Sequence, residues 1–182
     1  DLSDDTGDAR LKGAGAGVAS ILITRFAKLE GVQVVERARL TELTRELDLG
    51  ASGRVDPATA AQAGKLVGAD LLVLGSLTAI ALPQMAIDLR VVETATGRVV
   101  LAEEVRGDVG ASGEQFFVLV DEVAFKLTEA LQLKLSAKER IALSQVEVER
   151  LNTVGVYGLA LQALDAGRDQ DAERLLAEAL AM

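Results

Sequence analysis

The chain has 182 residues, enough for one domain with a sizeable core or for a domain with a small appendage. Apolar residues make up 49% of it, so it should fold; 19 Lys and Arg stand against 28 Asp and Glu, and a formal net charge of −9 with no basic cluster argues against polyanions as partners, nucleic acid included. Neither Cys nor His is present, which removes the thiol nucleophile, the imidazole base and the two ligands that dominate zinc sites.

The chain opens on "DLSDDTGD" with no initiator Met and no signal peptide in view, as a processed or trimmed N-terminus would. "LKGAGAGVAS" then sets Gly13, Gly15 and Gly17 at alternate positions before an apolar run, and glycines so placed can cradle a phosphate. A Walker-type loop needs Gly-x4-Gly-Lys-Ser/Thr, and a dinucleotide fingerprint needs Gly-x-Gly-x-x-Gly after a strand. Neither is met. Val18 stands where Gly13 would require the third glycine, Ser20 where Gly15 would, and no strand is read ahead of them. No cofactor is expected.

Val18, Ile21, Leu22, Arg25, Phe26 and Leu29 recur at helical spacing, with Gly31 as the stop. "VQVVE", Val32 to Glu36, is short and β-branched and reads as a strand. Leu40, Leu43 and Leu47 share one face of a second helix, and Asp56-Pro57 starts a third that runs to about Gly68, the Asp capping backbone N–H groups while Pro fills the first helical position.

Leu71 to Ile87 is the longest uncharged stretch, interrupted by Gly75, Ser76, Thr78, Pro83 and Gln84 and closed by Asp70 and Asp88. It reads as two strands with a tight connection rather than a membrane span, the first strand covered on both faces. From Met85 the pattern alternates: Met85, Ile87, Leu89 and Val91 on one face, Asp88 and Arg90 on the other. Gly97 suits a short hairpin loop, Val99, Leu101 and Val105 begin the return, and residues 84 to 107 read as an antiparallel hairpin. A helix from about Glu114 to Leu133 buries Phe116, Phe117, Val120, Val123, Ala124 and Leu127.

After about Ser144 the character changes. Two helical periods are split at "DAGRD", with Ala172, Leu176 and Ala179 on one face of the second. Leu159, Gly167, Ala172, Leu176 and Ala179 fall at the spacing of a tetratricopeptide repeat that starts at Thr153. A single such unit cannot bury its apolar face alone, so it should pack on the main domain, on another chain or on further repeats.

Three sets of residues could carry chemistry. Glu103 with Glu104, and Asp121 with Glu122, could pair carboxylates, but strand neighbours point to opposite faces and helix neighbours diverge by about 100°, so solvated faces are the expectation. Arg37 and Arg39, beside Glu36 and Glu42, read as local ion pairs. Tyr157 reads as a core or inter-helix residue. No catalytic, cofactor-binding or metal residue is assigned.

"VVERARL" after a short strand, "GKLVGADLLVLGS" across helix and strand, and "DLRVVETATGRVV" as a hairpin together resemble the CsgG-type domain family, over about Leu11 to Leu133. The resemblance implies an α/β fold: a three-layer-like CsgG/TolB-N-type domain over residues 1–143, its mixed sheet containing an antiparallel hairpin, followed by a C-terminal α-helical hairpin over 146–182. Such domains usually begin with an apolar strand ahead of "DLSDDTGD", absent by this reading. The family's channel former carries long membrane hairpins that Thr78 to Met85 and the stretch after Val105 are too short to supply, so no pore is expected. The resemblance further implies a non-enzymatic envelope assembly or scaffolding module in the periplasm. A protein partner or a homo-oligomer is expected, with membrane association only through an anchor upstream of Asp1. A regulatory adaptor ahead of a tetratricopeptide array is the alternative, and a carboxylate-based hydrolase the third.

Overall fold

The structure, a computed structural model, describes residues 2–8, 11–35, 65–81, 83–110, 113, 115–144 and 151–182. Strand β1 (Leu2–Asp4), helix α1 (Ala14–Phe26), strands β2 (Leu71–Ala81), β3 (Gln84–Glu93) and β4 (Val99–Asp108), and helices α2 (Phe116–Ala130), α3 (Ala137–Ser144), α4 (Leu151–Asp165) and α5 (Asp169–Leu180) follow in order. The sheet runs β1-β2-β3-β4, with β1 parallel to β2 and the remaining pairs antiparallel. This is the mixed α/β sheet that the sequence implied.

The lead is where the sequence reading needs correction. Leu2–Asp4 pairs with Gly75–Leu77, so a strand does precede the three glycines. At three residues and one apolar side chain, it is too short to show a period. The first helix also ends at Phe26, five residues before Gly31, which instead takes a left-handed φ of 77° in the turn that follows. Val32–Val35 is not a strand. Val32 and Val34 rest half-buried against the core with no strand pairing, and Glu36 lies outside the described residues. The helix bearing Leu40, Leu43 and Leu47, the Asp56-Pro57 start, and Arg37 and Arg39 also lie outside them. The end of the third expected helix is seen: Lys65–Val67 is helical and Gly68 closes it at φ 70°.

Leu71 to Ile87 forms two strands joined through residues 82–83, as read. The first is not covered on both faces throughout. Leu77 is fully buried, whereas Leu71, Val73 and Ile80 are exposed. Gly97 closes the β3–β4 turn at φ 73°, donating its N–H to Glu93 O at 2.8 Å. Thr94 fastens that turn to the start of β2: its N–H donates to Asp70 O at 2.9 Å and its hydroxyl to Ala69 O.

Met85, Ile87, Leu89 and Val91 all point into the core, where Val18, Leu22 and Phe26 of α1 and Phe116, Val120 and Val123 of α2 meet them. α2 runs shorter than Glu114 to Leu133, but all six of its predicted apolar residues are buried. The tail is two helices broken at Gly167 (φ 69°), and α4 packs along α1, so the hairpin does find its cover within the chain.

Helix α3 was not anticipated. Its start carries a capping box, Ser136-x-x-Glu139, in which Glu139 N–H donates to Ser136 Oγ at 3.3 Å and Ser136 N–H to Glu139 Oε2 at 2.8 Å. Glu139 Oε1 also accepts the Glu30 N–H at 2.9 Å, tying α3 to the turn after α1. The Ser136 hydroxyl, then the Ser136 and Glu30 amides, pull the Glu139 carboxyl from 4.5 down to about 2. A depressed folded pKa means the carboxylate's contribution is complete above 4.5 and is lost as pH falls through about 2. An NMR titration should place the Glu139 midpoint near 2, and Ser136→Ala should return it toward 4.5. A midpoint near 4.5 in the parent chain would show that the cap does not form.

Candidate functional site

Strand β1, a loop and helix α1 form the arrangement in which exposed N-terminal amides bind anions. Here the chain's own anion occupies it. Asp4 Oδ2 accepts the Gly13 N–H and Oδ1 the Gly15 N–H, both at 2.6 Å. Burial pushes the Asp4 carboxyl above its ordinary pKa, opposed by those two amides. A phosphate would have to displace a carboxylate held by two short bonds.

The glycines serve another purpose. A Cβ on Gly15 would stand 2.3 Å from Leu2 O, so at that residue the backbone of α1 lies directly against β1. Gly13 and Gly17 face away from the sheet, toward α4: their added Cβ atoms would meet Gly155 O at 2.5 Å and Val154 O at 2.4 Å. On the opposing helix, a Cβ on Gly158 would fall 1.8 Å from Gly13 O. The two helix backbones therefore touch, which only glycine permits. Gly15 thus meets the sheet, while Gly13 and Gly17 take the tail. Tyr157 stands beside this seam with its hydroxyl 3.3 Å from Ser20 Oγ, in the inter-helix position expected.

The carboxylate pairs split as strand and helix geometry require. Glu103 turns inward to Lys126 Nζ at 3.2 Å, and Glu104 turns outward to Arg106. Asp121 faces Arg25 Nη1 at 2.8 Å, and its neighbour Glu122 is exposed. Arg25 is only 2% exposed. Its guanidinium nitrogens and Asp121 Oδ1 are not aligned for a directional hydrogen bond, so this is a charge contact in a dry place. Desolvation raises the Asp121 carboxyl pKa, and Arg25 opposes the rise. Among the described residues no three carboxylates gather to hold a metal, and no helix is long and apolar enough to cross a membrane.

What the fold leaves open is a surface. β4 is the last strand of the sheet among the described residues, and Val100, Ala102, Glu104 and Arg106 stand exposed along it. The geometry offers backbone and side chains for contact with another protein.

Residues 1–82 match the family described as curli production assembly/transport component CsgG. The match takes in β1, α1 and β2 and ends ahead of β3, so it is narrower at its end than the Leu11 to Leu133 resemblance read from the motifs and begins ten residues earlier. No curated protein matches the chain. Solved structures similar to the chain include the following two. The LpoB C-terminal domain from Salmonella enterica is 15% identical, with a TM-score of 0.47, 59% of this chain covered and 77% of that one. Lipoprotein GNA1162 from Neisseria meningitidis is 14% identical, with a TM-score of 0.49, 71% of this chain covered and 94% of that one.

Proposed function

Because residues 1–82 are CsgG-type, we propose that this protein is a non-enzymatic module of the bacterial envelope that assembles or scaffolds by protein–protein contact. The observation that carries the reading is that family match. The chemistry on the page is consistent with it. Three carboxylates among the described residues are committed to structure: Asp4 to the start of α1, Glu139 to the start of α3, and Asp121 to Arg25. Residues 1–143 form the CsgG-like unit and 146–182 the helical appendage, which α4 fastens to it through α1. The module works in the periplasm, tethered to the outer membrane by an anchor upstream of Asp1.

One observation favours the second reading, an adaptor that precedes a tetratricopeptide array. Helix α5 packs on α4 and leaves Leu180 90% exposed, with Leu164 also exposed, an apolar rim on which another helical pair could stack.

Intact mass and N-terminal peptide analysis of the full-length protein from its own cells separates the two. An acylated cysteine upstream of Asp1, in the envelope fraction, is expected. An unmodified N-terminus in the cytoplasmic fraction would overturn the envelope reading and leave the adaptor.

A further inference from the structure

Among the described residues no strand pairs with the outer edge of β4, and the phase of that edge carries further information. Val109 N–H donates to Pro83 O at 2.9 Å, and Gln84 stands opposite Asp108, which fixes the phase of the ladder. In an antiparallel pair the backbone groups of alternate residues face the partner. Gly107, Val105 and Glu103 therefore turn their N–H and C=O toward β3, and Ala102, Glu104, Arg106 and Asp108 turn theirs to the open side. The side chains of those four lie on the sheet face away from α2, since Glu103 meets Lys126 and Gly107 lies under Leu119 on the other.

We propose that this edge pairs with the same edge of a second copy of the chain, antiparallel, with Val105 on the two-fold axis and each Glu104 opposite the partner's Arg106. The register follows from charge. An axis through residue 104 sets Glu104 against itself. An axis through residue 106 sets Arg106 against itself and Glu104 against Asp108. An axis through residue 107 joins opposite charges but engages only Arg106 and Asp108 among the outward residues. The axis through Val105 uses all four outward residues and forms two Glu–Arg pairs, and opposite charges directly across a ladder stabilise it whereas like charges do not. A two-fold interface is self-complementary by construction, as this one is.

The sheet also sets two carboxylates side by side there. Glu104 stands directly across from Asp88 on β3, two like charges with Arg106 as the cation bonded beside them. The second copy brings another guanidinium to Glu104 from the open side. Charges on an edge strand commonly prevent pairing. Here their alternation in sign repels a strand shifted to an axis through residue 104 or 106 and admits this one. The inference concerns the isolated chain and stands whether or not the protein works in the envelope.

Sedimentation equilibrium of the 182-residue chain over a concentration series tests it. A dimer is expected. Glu104→Arg and Arg106→Glu should each weaken it by about tenfold or more, since each turns two attractive pairs into two repulsive ones, and the double swap should restore it. Both residues are exposed, so circular dichroism should show the same fold in all three variants. A second readout needs no variant: amide exchange at Glu104 and Arg106 should slow as concentration rises, while the Val105 amide, already bonded to β3, should not change. A chain that remains monomeric overturns the proposal. So does a dimer indifferent to the single reversals, a swap that fails to restore it, or exchange at Glu104 and Arg106 that ignores concentration.

Discussion

Gly158→Ala should destabilise the protein by about 3 kcal/mol or more, the upper range for forcing atoms into a filled interface. The added carbon would meet Gly13 O at 1.8 Å and Gly17 N at 2.8 Å, backbone atoms that no rotamer change can move aside. Either α4 lifts from α1 or both helices shift, and Val154, buried in the same core, moves with them. Gly31→Ala is the control. It carries a left-handed φ of 77° with nothing within 4 Å of an added Cβ, so only the conformational cost of about 1–2 kcal/mol applies. Urea unfolding of the two variants checks the order, and limited proteolysis should release the α4–α5 hairpin from Gly158→Ala first. Equal losses in both would show that the helix seam is looser than the structure has it.

Asp121→Leu should cost about 3 kcal/mol, because it strands a buried guanidinium with no counter-charge. The partner substitution is expected to behave differently. Arg25→Met fills the buried volume with an apolar chain of similar length and leaves Asp121, 28% exposed, with access to water, so its effect should lie within about 1 kcal/mol of zero. Chemical denaturation of both variants and of the double variant separates the contributions. A loss on Arg25→Met as large as on Asp121→Leu would mean that the pair itself stabilises the fold. The position of Arg25 could be read in advance: it falls on the same helical stripe as Leu22 and Phe26, an unusual place for a charge.

The elements legible in the sequence were those whose period is long and whose two faces differ. Met85 to Val91 alternates over a strand that is buried on one side, Gly97 marks the turn, and α2 repeats its apolar residues over four turns. β1 was hidden because three residues cannot show a period, and its single apolar side chain, Leu2, is recruited by β2. Val32–Val35 has strand composition, but composition does not supply a neighbouring strand to pair with. The capping box at Ser136 was a usable signal for α3, since Ser three residues before Glu opens a helix in many chains. For the three glycines, the sequence disclosed that something approaches closely. It could not say that the visitor was an amide-seeking carboxylate at one end and a helix from the far end of the chain at the other.

That last contact has a temporal side. Ser20 and Tyr157 are 137 residues apart, so the seam between α1 and α4 closes only after that much further chain exists. Synthesis proceeds at about 5–20 residues per second, so the glycine face of α1 waits on the order of ten seconds for its cover. During that interval the glycine face of α1 lacks the helix backbone that covers it in the folded molecule.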